Sequence, residues 1–139
     1  MKSGGDEQQI RELIAQQYGA VCRKDVDAIM RHYSDAAVIF NVKPPYQIRD
    51  LAEWRRVWET SLSHFPTSFG TEARDETILI SGDLAIVHLL LRFTGLKGNR
   101  PWMRNTSVYQ REQGEWKIIH EHSSVPFDPE TSKAVFEFE

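Results

Sequence analysis

The stretch from Arg104 to Pro126, RNTSVYQREQGEWKIIHEHSSVP, leaves this chain few choices of fold. Two runs rich in Val, Ile, Thr, Tyr and Trp flank Glu112-Gln113-Gly114, a polar connection ending in glycine. That pattern predicts a β-hairpin of strands Trp102–Arg111 and Glu115–Ser124. The second strand closes on His120-Glu121-His122-Ser123-Ser124, so it delivers a dense set of polar side chains to one sheet. Upstream, Leu84–Thr94 reads as another long strand, bounded by Ser81-Gly82-Asp83 before it and by Gly95, Gly98 and Asn99 after it. Its alternate residues are Ala85, Val87, Leu89, Leu91 and Phe93 on one face, and Leu84, Ile86, His88, Leu90 and Arg92 on the other. Both sets are largely apolar, so both faces of the sheet need cover. Arg74–Ser81 predicts the strand that precedes it.

The first half of the chain changes period. Ile10, Leu13, Ile14, Tyr18 and Val21 recur at helical spacing, predicting a helix over Glu7–Arg23 with Asp6 as its N-cap. Asp25 caps a second, shorter helix whose inner face is Val26, Ile29, Met30 and Tyr33. Ala37–Val42 is a β-branched strand ended by Pro44-Pro45, since proline cannot donate to a ladder. Asp50 with Glu53 opens a third helix, with Leu51, Trp54, Trp58, Leu62 and Phe65 on one face and Pro66 as its stop. Residues 1–5 read as a flexible lead and 125–139 as a C-terminal tail. The 139 residues suit a single domain. Three N-terminal helices gathered on one side of an antiparallel sheet make an α+β architecture. The opposite face is most economically covered by a second copy, which implies a homodimer or larger assembly.

A net charge of −3 without a stripe of Lys and Arg argues against nucleic acid as a partner. No run approaches the roughly 18 apolar residues of a membrane span. The opening MKSGGDEQQ lacks the apolar core of a signal peptide, and the single Cys22 rules out an internal disulfide framework. Cytoplasmic residence follows as the default expectation. Cys22, on the first helix, is expected in inert core. There is no glycine-rich phosphate loop and no nucleophile elbow, and no cofactor is expected.

Tyr18, the run Lys24-Asp25-Val26-Asp27-Ala28-Ile29, the run Tyr33-Ser34-Asp35-Ala36-Ala37-Val38, and Arg104-x-Thr106-x-Val108 through Trp116–Ser124 together resemble the SnoaL-like part of the nuclear transport factor 2-like superfamily. The last piece is similar to the end of the association domain of calcium/calmodulin-dependent protein kinase II. The resemblance spans roughly residues 7–126. It implies a cone, a strongly curved sheet wrapped against three helices with a pocket in its open end. Its members include isomerases, cyclases, dehydratases, binding modules and assembly hubs. By similarity to ketosteroid isomerase and the association domain, the inward residues are His88, Arg92, Asn105, Ser107, Ile119, Glu121 and Ser123, while Thr106, Trp116, His120 and His122 face a partner subunit. The isomerase's catalytic set is missing. Its general-base aspartate corresponds to about Asn41, its oxyanion-hole tyrosine to about Gln17, and its oxyanion-hole acid to about Ser107. The association domain's pocket arginines correspond to Ser107 and Ser123.

Three chemistries stay open on these residues. Glu121 and His88, with Tyr18 as a hydroxyl donor, have the types needed to move a proton next to a carbonyl without a cofactor. Arg92, Asn105, Ser107, Ser123, Ile119, Trp54 and Trp58 would then bind a small organic ligand in a mainly apolar pocket. The structural alternative for Glu121 is an ion pair with Arg92, and for the two tryptophans plain core packing. His120-x-His122 places two imidazoles on one strand face, but two ligands do not complete a zinc site, so no metal is expected. The third option is no chemistry, with the domain binding a small apolar molecule or serving assembly.

Overall fold

A computed structural model describes residues 2–98 and 100–138. Met1 and Asn99, the latter expected in a turn, lie outside the described residues. The elements run α1 (Lys2–Cys22), α2 (Val26–Met30), β1 (Tyr33–Phe40), β2 (Gln47–Ile48), α3 (Leu51–Ser63), β3 (Gly70–Ser81), β4 (Leu84–Thr94), β5 (Met103–Glu112), β6 (Glu115–Ser124), β7 (Phe127–Asp128) and β8 (Lys133–Ala134).

The helices follow their caps with one exception. The Asp25 carboxylate accepts from Ala28 N and the Asp50 carboxylate from Ala52 N, so α2 and α3 start where acidic side chains satisfy free backbone donors. Asp6 does not stand at the helix start: α1 continues back to Lys2, and the Asp6 carboxylate takes two bonds from the Arg111 guanidinium, at 2.9 and 3.1 Å. A bidentate guanidinium thus fastens α1 to the sheet instead. Arg111 also stacks on Trp116, 4.3 Å from the ring centre.

The main sheet has strand order β2-β1-β6-β5-β4-β3. Every pair is antiparallel except β1 with β6, a parallel pair whose long connection holds α3 and four strands. The β5–β6 turn carries positive φ at Gln113 and Gly114, the geometry that matches the twist of a two-residue hairpin. Two irregularities bend the sheet. One lies in β3 between Arg74 and Thr77, and one in β6, where Tyr109 faces Ile118 but Val108 faces His120. Ile119 is therefore an unpaired extra residue, a β-bulge. β1 is also irregular against β6, between Tyr33 and Val38. It begins earlier than its β-branched run indicates, and β2, a two-residue strand, was not visible in the sequence.

Ile10, Ile14 and Val21 of α1, Ile29 of α2, and Trp54 and Leu62 of α3 pack on Ala85, Val87, Leu89, Tyr109, Trp116 and Ile118 of the sheet. The other sheet face keeps Leu79, Leu84 and Ile86 exposed by 55, 44 and 39%. Residues 127–138 fold back on the barely exposed Trp102, whose ring lies between the Arg74 and Arg92 guanidiniums at 4.4 and 4.3 Å. Trp102 N donates to Phe136 O, and Arg74 Nη2 to Phe138 O. Among the described residues, no helix is long and apolar enough to cross a membrane.

Candidate functional site

A cavity of about 150 Å³ lies between the helices and the inner face of the sheet. Its apolar wall comes from Val87, Leu89, Leu91 and Phe93 of β4, from Val57 of α3, and from Phe65 just beyond it. Trp54 and Trp58, one helical turn apart, meet edge-on at 5.6 Å, and Trp54 meets Tyr33 edge-on at 6.1 Å. The two tryptophans thus serve as both core and cavity wall.

Polar groups enter on a stripe across β5, β6 and the start of β1. The β5–β6 register sets Ser107 opposite Glu121 and Asn105 opposite Ser123, and all four line the cavity. Tyr33 Oη donates to Glu121 Oε1 at 2.6 Å, and Ser107 Oγ donates to Glu121 Oε2 at 3.0 Å. Asn105 Nδ2 donates to Ser123 Oγ at 2.9 Å. Burial pushes the Glu121 carboxyl above the ordinary glutamic-acid range, because desolvation penalises its charged form; the two hydroxyl bonds oppose the shift without cancelling it. Tyr18 and Tyr109 also line the cavity. Burial, with the nearby Glu121 charge, pushes both hydroxyls well above their ordinary range, so they stay protonated donors. Tyr33 is shifted the same way for the same reasons.

Several lining atoms lack partners. Gln17 Oε1, Asn41 Nδ2 and Trp58 Nε1 are buried and accept or donate no hydrogen bond within the protein. Gln17 and Asn41 stand where the resemblance puts the isomerase's tyrosine and aspartate, and both line the cavity. At that site the chain presents amides in place of ionisable groups.

The structure brings together Glu121, Tyr18, Asn105, Ser107, Ser123, Trp54 and Trp58, and it leaves out three residues expected inside. His88 is exposed on the opposite face, between Thr77 and Thr106. Arg92 lies on that face too, bonded to Glu72 at 2.9 Å and to Glu137 at 3.2 Å, so it neither pairs with Glu121 nor reaches the cavity. The reason is register: Val87 pairs with Ser107 and Leu89 with Asn105, so the odd-numbered residues of β4 are the inward ones. Ile119 is the bulged residue, and Ile118 takes its place in the lining. Trp116 shares that inner side and is buried, contrary to its expected outward position. Cys22 is half-buried.

His120 and His122 do lie on the outer face, where both pack edge-on against Phe40 at 4.9 and 5.4 Å. His120 Nδ1 sits 2.8 Å from Val38 O. Among the described residues, no three His, Cys, Asp or Glu side chains gather as metal ligands would. Tyr33, the nearest partner of Glu121, was read only as an apolar helix-face residue. A bond across 88 positions leaves no local trace, and its one signal was its place in the run leading to strand one.

The class of protein is defined by this arrangement of helices on a bent, open sheet, and sequence similarity specifies it further. The SnoaL-like domain family matches residues 10–128, and the chain belongs to it. A nuclear transport factor 2-like protein of unknown function from Pseudomonas putida KT2440 is 33% identical, with 98% of this chain and 97% of that one covered at a TM-score of 0.91. A candidate dehydratase of the same superfamily from Streptomyces avermitilis shares the fold at 16% identity, covering 91% of this chain and 99% of its own, with a TM-score of 0.79. The association domain of Caenorhabditis elegans calcium/calmodulin-dependent protein kinase II shares it at 18% identity, covering 87% and 96%, with a TM-score of 0.71. No curated protein matches the chain.

Proposed function

We propose that this SnoaL-like domain binds a small organic molecule in its cavity and transfers a proton on it without a cofactor, Glu121 acting as the acid or base. The observation that carries this reading is the Glu121 carboxyl itself, desolvated on the cavity wall with one oxygen bonded by Tyr33 Oη and the other by Ser107 Oγ. Burial that raises the carboxyl brings its proton affinity closer to that of the solution, where general acid–base catalysis works best, and the two hydroxyls fix its orientation. The tyrosine hydroxyls of Tyr18 and Tyr109 provide donors for an oxygen on which negative charge develops. A candidate dehydratase and a candidate ketosteroid isomerase are among the solved structures that share this fold.

The test needs no named substrate. Exchange of α-protons for deuterium is followed by NMR across a panel of cyclic ketones. The wild-type protein is expected to speed exchange of at least one of them. Glu121→Gln is expected to lower that rate by about a hundredfold or more, and His88→Ala to leave it unchanged. Equal rates in wild type and Glu121→Gln sink the proposal.

A second reading concerns assembly. Leu79, Leu84 and Ile86 form an exposed apolar group on the outer sheet face, and relatives sharing the fold include association domains. A second copy of the chain covers that face in our reading, giving a homodimer or larger assembly. The native mass should fall to that of one chain in Ile86→Asp; an unchanged mass, or a monomeric wild type, excludes this face.

A further inference from the structure

The size of the cavity and its unpartnered atoms bound what it can hold, given the reading that it binds a ligand. An apolar cavity of about 150 Å³ accepts benzene, one six-membered ring. The cavity here has that volume and is partly open to solvent, so it encloses about one ring, and the rest of a fused four-ring skeleton would project through its mouth. Its wall, though, is not wholly apolar. Gln17, 8% exposed, leaves Oε1 without a donor, and Trp58 Nε1 and Asn41 Nδ2 are without acceptors. An indole N–H only donates, so whatever orientation the two amides take, Trp58 requires an acceptor from the occupant. Lys43, in the same β1–β2 connection as Asn41, is exposed and is the only cation among the described lining residues. The donors on the wall are therefore those of Asn41, Lys43, Trp54 and Trp58, and the acceptors those of Gln17 and Glu121.

Buried donors and acceptors left unmatched destabilise a folded chain, and a ligand that completes them regains that loss on binding. A hydrocarbon of the same size does not. A site built to hydrogen-bond its ligand also rejects analogues lacking those groups. We infer that the cavity is selective for a hydroxy-carbonyl compound of about one ring, its carbonyl oxygen accepting from the N–H groups of Trp58 and Asn41 and its hydroxyl donating to Gln17 Oε1. Such a compound carries an acidic C–H next to its carbonyl, the type of proton that Glu121 is proposed to move.

The experiment is isothermal titration of the full chain with four probes: 4-hydroxycyclohexanone, methylcyclohexane, a two-ring hydroxydecalone and a hydroxysteroid ketone. The single-ring hydroxyketone is expected to bind about tenfold or more tighter than each of the others. Trp58→Phe, which keeps a ring but loses the N–H, and Gln17→Leu are each expected to weaken hydroxyketone binding about tenfold. Their cooperative thermal unfolding is checked alongside, and a variant that unfolds is replaced by Asn41→Leu. Comparable binding of the steroid or of methylcyclohexane overturns the inference. So does hydroxyketone binding unchanged in these variants, or its absence in the wild type. The two readings fail separately. The expected binding order with Glu121-independent exchange removes the proton transfer and keeps the ligand class. Glu121-dependent exchange confined to multi-ring ketones does the reverse.

Discussion

β4 and β6 are of nearly equal length, both pair with β5, and both carry ionisable residues that family likeness would turn toward the cavity. Only β6 delivers one. Against β5, β4 is regular from Leu84 to Leu91, so a single parity governs it and puts His88 and Arg92 outside. β6 holds a bulge at Ile119, so Trp116 and Ile118 before it and Glu121 and Ser123 after it share the inner side despite their opposite parity. One unpaired residue thus lets an apolar core and a polar stripe sit on one strand face. Without it, the parity that buries Trp116 and Ile118 would send Glu121 to the outside. The irregular strand carries the site, and the regular one supplies the wall.

This contrast can be broken experimentally. Tyr33→Phe removes the 2.6 Å bond to Glu121 on the irregular side and should cost about 1–2 kcal/mol in urea unfolding. A loss no greater than that of His88→Ala, on the exposed side of β4, would mean that the bond does not hold the site together. The next effect is in pH dependence. Glu121 has a folded pKa raised above the reference value of 4.5, so its contribution is complete below that pH and is lost as pH rises through the folded pKa. Glu121→Gln should therefore gain stability relative to wild type from about pH 4.5 toward neutrality. Unfolding free energies measured across that range check the sign, and a difference that stays flat or narrows contradicts the buried-carboxyl assignment. His88→Gln, the matched change on the exposed side of β4, should give the smallest effect, an unfolding free energy close to that of wild type.

How much of this was legible is clearest residue by residue. α3 was readable because Asp50 is a local cap and Trp54, Trp58 and Leu62 share a helical face, both properties of neighbours in sequence. β4 and β6 were bounded correctly, because glycine turns and β-branched runs are local too. The face of β4 was not readable. The connection from Gly95 to Trp102 is too long to fix register as a two-residue turn does, and strand alternation is the same read from either side. Asp6 has the chemistry of a cap, yet Arg111, far along the chain, claimed it.

Sequence by itself determined the α+β class, the Asp25 and Asp50 caps, the hairpin and the polar cargo of β6, because each depends on residues within a few positions of one another. Tertiary structure decided which of those polar groups meet. The Tyr33–Glu121–Ser107 contacts, the inward amides of Gln17 and Asn41, and the exclusion of His88 and Arg92 all depend on long-range register and on the bulge at Ile119. Those features are set by how whole strands pack, and no local pattern encodes that.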